Sequence, residues 1–280
     1  MTPAPATPLP TGPTGRGPTG PWHARLADAL GPLGPVRPLG ADVHLVEVAG
    51  RALVVKLGAG ARDEADGLRL LAAAPGAPPV PDVLLVDDDL LVSAAVSQVP
   101  RSSDHEEDLG RSLARLHAAP REHWGGGSSW IGACPVSPAT WSDGAAFYGA
   151  RLLTLAARCG LQPQVGPVAA RLEELLPPGG PSLVHGDLWW GNVLWGADGR
   201  SWLIDPSVHG GHPEEDLAML ALFGPVPERL RRSYEEVRPL EAGWEARMPL
   251  FQLAPLLVHA VLFGGGYRAR AEAVCRSLSR

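Results

Sequence analysis

Asp187 follows His185 by two positions, Asn192 follows Asp187 by five, and Asp205 lies thirteen beyond Asn192. They stand in one stretch, Leu183 to Met219, which reads L-V-H-G-D-L-W-W-G-N-V-L-W, then W-L-I-D-P, then H-P-E-E-D-L-A-M. A carboxylate can hold an attacking hydroxyl and take its proton. An amide oxygen and a second carboxylate can together hold magnesium, a hard cation that prefers oxygen ligands. This order of parts suits phosphoryl transfer from ATP to an alcohol. Asp187 is the candidate base, and Asn192 and Asp205 are the candidate metal ligands.

Composition points to the same residues. Against 23 arginines the chain has one lysine, Lys56, one asparagine, Asn192, and two isoleucines, Ile131 and Ile204. An abundance of Gly, Pro, Ala and Arg is what a GC-rich genome produces, so rare survivors mark places where substitutes fail. Arginine cannot replace lysine where a compact point charge must fit a fixed gap.

The elements that position these groups can be read from periodicity. Val193–Trp195 and 201–204 form a hairpin around Asp198-Gly199, a strong turn signal, which sets Asn192 and Asp205 side by side. His185 reads as a brace for the loop. Asp216 reads as opening a helix over 216–222, where it caps that helix or accepts N–H groups of the loop. Lys56 falls inside a strand over 52–57, paired across Ala49-Gly50-Arg51 with a strand over 43–48. A charge there needs a partner. Glu64, on a helix over 61–73, is the first choice, with Asp63 and Asp66 as competitors. The alternative is a lysine that snorkels from an edge strand.

The remainder is read as follows. Residues 1–21 are almost wholly Pro, Thr, Gly and Ala; they lack apolar area to offset ordering and are expected to be disordered. They have neither the basic region nor the apolar region of a signal peptide. A helix is expected from Trp22 to Leu30. A hairpin over 83–93 turns at Asp87-Asp88-Asp89, which reads as a solvated turn rather than a metal site. Residues 94–100 read as a connector. A helix over 105–119 carries Leu109, Leu113, Leu116 and His117 on one face, with His117 a satisfied buried histidine. The Gly-, Ser- and Pro-rich segment 122–138, with Trp130-Ile131-Gly132, is a candidate acceptor loop. Helices follow within 141–161, with Phe147, Leu152, Leu153 and Leu155 as core, and over 168–176. Trp189 and Trp190 are candidate platforms for substrate, with core packing the ordinary alternative.

A net charge of −6 without blocks of like charge argues against nucleic acid as a partner. No apolar run approaches the ~20 residues of a membrane helix. Three cysteines, odd in number and without C-x-x-C spacing, fit a reduced, cytoplasmic setting.

These motifs, with V-V-K-L, E-A-D-G-L, L-G-R-S-L-A-R-L-H and W-I-G, resemble the fructosamine (ketosamine) kinase family of the aminoglycoside-phosphotransferase, protein-kinase-like superfamily. The resemblance implies an α+β, bilobal protein-kinase-like fold. A small antiparallel-sheet N-lobe would span residues 22–97 and a larger, mainly helical C-lobe residues 98–280. It implies ATP, Mg²⁺ and phosphorylation of a sugar hydroxyl on a fructosamine or ribulosamine, leading to deglycation. It assigns Asp187 as proton acceptor, Asn192 and Asp205 as metal ligands, Lys56 with Glu64 as the phosphate-holding pair, and Ala94, Ala95 and Val96 as the adenine hinge. The sequence departs from the family at its glycine-rich loop around Gly40, at Ser129-Trp130, at Pro135-Val136-Ser137-Pro138 and at the hinge Ala94-Ala95. The alternatives are a kinase of the same superfamily acting on an aminoglycoside or another small molecule, and a non-catalytic nucleotide-binding protein.

Overall fold

The structure is a computed structural model that describes residues 20–279. The expectation for residues 1–19 lies outside the described residues. Pro21, placed in the tail by composition, instead opens a helix, as its fixed φ suits a first helical turn. The chain divides into two compact units: residues up to Arg62 with Val83–Ala95, and Asp63–Asp82 with Val96 onward. The sequence-based boundary at residue 97 did not anticipate that 63–82 groups with the second unit.

In the first unit, α1 (Pro21–Leu30) is followed by strands β1 (Leu33–Pro38), β2 (Val43–Val48) and β3 (Arg51–Leu57). The helix α2 (Ala61–Ala72) precedes β4 (Val83–Asp87) and β5 (Leu90–Ala94). The five strands form one antiparallel sheet in the order β1-β2-β3-β5-β4. The β2–β3 turn has positive φ at both Ala49 (49°) and Gly50 (75°), the twist that a two-residue hairpin loop needs. Alternation in β2 and β3 sends Val46, Val48, Leu53, Val55 and Leu57 to one face, where Trp22 and Leu26 of α1 cover them. Trp22 stacks on buried His44 at 5.0 Å. The three aspartates of the β4–β5 turn meet arginines: Arg25 reaches Asp87 and Asp89, and Arg62 reaches Asp88 at 2.7 Å.

The second unit is mainly helical. After α3 (Ser103–His117), capped by Ser102 and His105, come four two-residue strands: β6 (Trp124–Gly125), β7 (Trp130–Ile131), β8 (Cys134–Pro135) and β9 (Thr140–Trp141). Next are α4 (Gly144–Cys159), α5 (Gln162–Ala169) and α6 (Leu172–Leu175). The single helix expected over 168–176 is therefore two short ones. Strands β10 (Ser182–Val184), β11 (Val193–Trp195), β12 (Ser201–Leu203) and β13 (His209–Gly211) lead to α7 (Glu214–Leu222), α8 (Glu228–Glu235), α9 (Trp244–Phe263) and α10 (Gly265–Leu278). One small sheet has the order β10-β13-β6-β9, while β11–β12 and β7–β8 are separate hairpins.

The core of this unit joins Phe147, Leu152 and Leu155 of α4 to Leu253, Leu256 and Leu257 of α9. Leu153, expected in it, is 42% exposed, on the opposite side of α4. At 20 residues, α9 is long and apolar enough to cross a membrane by length and composition, contrary to the sequence reading. It carries Glu245, Arg247, Pro249 and Pro255, and its buried side packs on α4, α7 and α10.

Candidate active site

The second unit brings His185, Asp187, Asn192, Asp205 and Asp216 into one hydrogen-bonded structure. β10 delivers the chain to His185 and then turns sharply at Gly186, whose φ is +80°. A Cβ there would lie 2.0 Å from the Ser207 carbonyl oxygen, so only glycine fits. Both oxygens of buried Asp216 accept from this loop, one from the His185 N–H (2.8 Å) and one from the Gly186 N–H (2.9 Å). The expected capping role of Asp216 is absent. The helix starts at Glu214, and Asp216 lies in its first turn. His117 supports Asp216 through Nε2 at 3.1 Å and meets the Tyr234 hydroxyl through Nδ1 at 2.8 Å, with no surface exposed.

His185 is fully buried. Its Nε2 donates to the Ile204 carbonyl (2.9 Å), which leaves Nδ1 to accept from the Asp187 N–H (3.3 Å). Burial lowers its pKa, in keeping with this neutral tautomer. The ring thus ties the loop of Asp187 to the residue just before Asp205.

The β11–β12 hairpin does what its turn signal predicts. Val193 pairs with Leu203, and beyond that pair the Ile204 N–H donates to the Asn192 carbonyl at 3.1 Å. Asn192 and Asp205 are thereby held beside each other at the open end of the hairpin. The Asn192 amide nitrogen donates to the Asp187 main-chain carbonyl at 2.8 Å. That bond fixes which way the amide faces and leaves its oxygen for another partner. Asp205 adopts φ +55°, a conformation that few side chains other than Asp and Asn tolerate.

Asp187 is half-buried, and its pKa is pushed up to about 7. Burial is the first cause, followed by the charges of Asp205 and Asp216, while Arg151 and Asn192 pull the other way. A magnesium ion fits this donor set. Two oxygen-bearing side chains converge in a cluster with excess negative charge, and magnesium is usually held by one or two protein groups plus phosphate oxygens. Among the described residues no group of three or more His, Cys, Asp or Glu forms a metal cage of protein ligands alone.

The other candidates are placed as follows. Lys56 lies half-buried in β3, the middle strand of the first unit's sheet, so the edge-strand alternative does not hold. Glu64 lies in the first turn of α2. Its competitors have partners of their own: Asp63 accepts from the Ser129 N–H (2.6 Å), and Asp66 binds Arg69 (2.9 Å). Ala94 ends β5, and Ala95 and Val96 follow it. The Trp130 carbonyl accepts from the Ser207 hydroxyl (2.7 Å), and the Ser207 N–H donates to the His185 carbonyl (2.8 Å), so the segment around Trp130 is tied to the loop of Asp187. Trp189 meets Phe223 edge-on at 5.8 Å, against the core. One face of Trp190 carries the Arg101 guanidinium, 4.4 Å from the ring centroid, so that face is already engaged.

Four residues near Asp187 went unread in the sequence. Arg151, His209, Glu215 and Tyr148 form a linked group: Arg151 Nη1 donates to His209 Nε2 (2.9 Å), His209 lies 3.1 Å from Glu215, and the Tyr148 hydroxyl donates to Glu215. A signal was present. Arg151 stands four residues after Phe147 and four before Leu155, on the apolar stripe of α4, where a cation is out of place.

The fructosamine kinase family model matches residues 57–280 of this chain. The chain belongs to the fructosamine kinase family. It is 35% identical over 243 residues to the "Probable ketoamine kinase" of Thermus thermophilus, covering 84% of this chain and 90% of that one. The crystal structure of a candidate fructosamine-3-kinase from Thermobifida fusca superposes with a TM-score of 0.83 at 38% identity, over 92% of this chain and 98% of that one. A choline kinase of Streptococcus pneumoniae, 15% identical, shares the fold with a TM-score of 0.65 over 92% of this chain and 97% of its own. Fructosamine kinases are phosphotransferases of kinase-like fold, so this family member is an enzyme that uses a nucleotide.

Proposed function

We propose that this fructosamine kinase family member transfers the γ-phosphoryl group of ATP to a sugar hydroxyl of a ketosamine, with magnesium held by Asn192 and Asp205. The observation that carries the reading is the fixing of Asp187 between His185 and Asn192, with Asp205 following Ile204, the residue that pairs with Asn192 at the open end of the same hairpin. The ketoamine kinase name of the Thermus relative supports the acceptor.

Asp187 accepts the hydrogen bond of the acceptor hydroxyl and orients its oxygen toward the phosphorus. It takes the proton late, since the loose transition state asks little of the base early. Bound magnesium supplies charge neutralisation on the phosphate oxygens. Lys56, with Glu64 as its partner, engages the nucleotide phosphates, and backbone groups of Ala94, Ala95 and Val96 contact adenine. Trp130 and Trp189 border the acceptor; Trp190 contributes through its stack with Arg101. The three free cysteines accord with a cytoplasmic setting.

The test is phosphate transfer from ATP to fructosyl-lysine, with the phosphate ester located by NMR. Magnesium-dependent transfer is expected. Nucleotide binding without transfer to any ketosamine would overturn the reading.

A further inference from the structure

A cavity of about 130 Å³ lies in the second unit between α4 and the segment that runs from β6 to β9. The residues that give it chemical character are Gly125, Ser128, Trp141, Phe147, Arg151 and His209. Its rim depends on glycine. Gly125, Gly126 and Gly127 all have φ between 71° and 75°, and a Cβ on Gly127 would lie 2.1 Å from the Val208 carbonyl oxygen. Three consecutive left-handed residues are closed to ordinary side chains.

Two buried polar atoms without a hydrogen-bond partner, Arg151 Nε and Ser128 Oγ, belong to residues that line this one cavity. Native proteins leave few such atoms, and each calls for an explanation. Among the described residues Arg151 forms no ion pair; its Nη1 donates to His209, and its guanidinium lies 5.6 Å from the Phe147 ring centroid. Glu215, the nearby carboxylate, accepts from the Tyr148 hydroxyl and the His212 N–H. The cavity is thus lined by a guanidinium side chain, a serine and two aromatic walls, and the residues that carry the two unpartnered atoms are among them. That set fits a compact organic anion, and a planar carboxylate in particular.

Arg151 also lines a smaller space of about 20 Å³ that contains Asp187 and Ile131. One side chain thus borders both the place where a hydroxyl would react and the place where an anion would sit. We propose that the cavity is a carboxylate subsite: it takes the α-carboxylate of a glycated amino acid whose sugar hydroxyl lies at Asp187, with Arg151 as counter-charge and Ser128 as a second donor. The inference rests on the ketosamine reading and narrows it, from glycated amines in general to free glycated amino acids.

The test compares fructosyl-glycine with its carboxamide, which has the same shape and no charge. Calorimetry without ATP gives Kd, and phosphate transfer from ATP is followed in parallel. The wild type is expected to bind the carboxylate about 10- to 100-fold more tightly, the range for a charge-assisted hydrogen bond. Arg151→Gln is expected to bring the ratio near one by weakening the carboxylate compound alone. Ser128→Ala, which removes no hydrogen bond from the folded chain, is expected to lower the ratio without changing stability. Equal affinity for both compounds in the wild type overturns the subsite, and transfer to both would then keep the ketosamine reading. Selective binding lost in Arg151→Gln without transfer to either compound supports the subsite and removes the kinase reading. Failure of both compounds to bind overturns both. An unchanged ratio in Arg151→Gln, with both compounds weakened alike, assigns Arg151 to structure and overturns the subsite.

Discussion

Asp187→Asn keeps the size of the side chain and its hydrogen bond to an acceptor but cannot take a proton. Turnover is expected to fall by roughly 10²- to 10⁴-fold, the usual contribution of a positioned base. ATP affinity should stay within a few-fold, and unchanged kcat in this variant would remove Asp187 from the mechanism. Lys56→Arg keeps charge and loses the compact ammonium in the middle strand of a five-stranded sheet. A marked loss of kcat/KM for ATP is expected, and wild-type kinetics would undo the argument from the single lysine. At this scale the sequence was informative where a residue type was rare or oddly placed. Lys56 and Asn192 stood out by scarcity, and His185 by its distance from Asp187. Arg151 did not stand out, because the chain has 23 arginines and attention went to its apolar neighbours.

At the scale of elements the 185–187 loop is held by Asp216 of α7 as well as by His185 and Asn192. Burial alone would raise the Asp216 pKa, but its hydrogen bonds with His117 and the His185 N–H outweigh it, and the pKa is lowered. A lowered carboxylate contributes stability that is present above its unfolded pKa of ~4 and is lost as pH falls through the folded value. Urea titrations from pH 6 to pH 3 should show the wild type losing stability below about pH 4 and Asp216→Asn losing less over the same range. Gly186→Ala is expected to destabilise by about 1–3 kcal/mol and to depress kcat, because the added methyl meets the Ser207 carbonyl at a left-handed backbone position. Hairpins and long amphipathic helices were legible because their periods repeat over many residues. The pairs β6 to β9 were not, since two residues show no period. The helix expected over 168–176 broke at Ala170 and Arg171 because its apolar spacing came from two separate turns.

Among the described residues, one core lies between α1 and the five-stranded sheet and another among α4, α7 and α9. Trp22→Ala should therefore cost about 3–5 kcal/mol, as for other large buried side chains, and the cost should fall unevenly. Hydrogen exchange is expected to rise across β2, β3 and β5 while amides of α9 keep their protection; uniform loss of protection would mean that the two units unfold together. In the second unit, the residues that set up the chemistry come from one contiguous stretch, His185 to Asp216, while those around the Arg151 cavity come mainly from 125–151. The two are joined by the pairing of β13 with β6, by the Ser128 N–H to the Val208 carbonyl, and by Ser207 with Trp130 and Arg151 with His209. Inheritance can act on such a chain piecemeal. A lineage can rewrite the earlier segment and explore new acceptors while passing on the stretch from His185 to Asp216 unaltered.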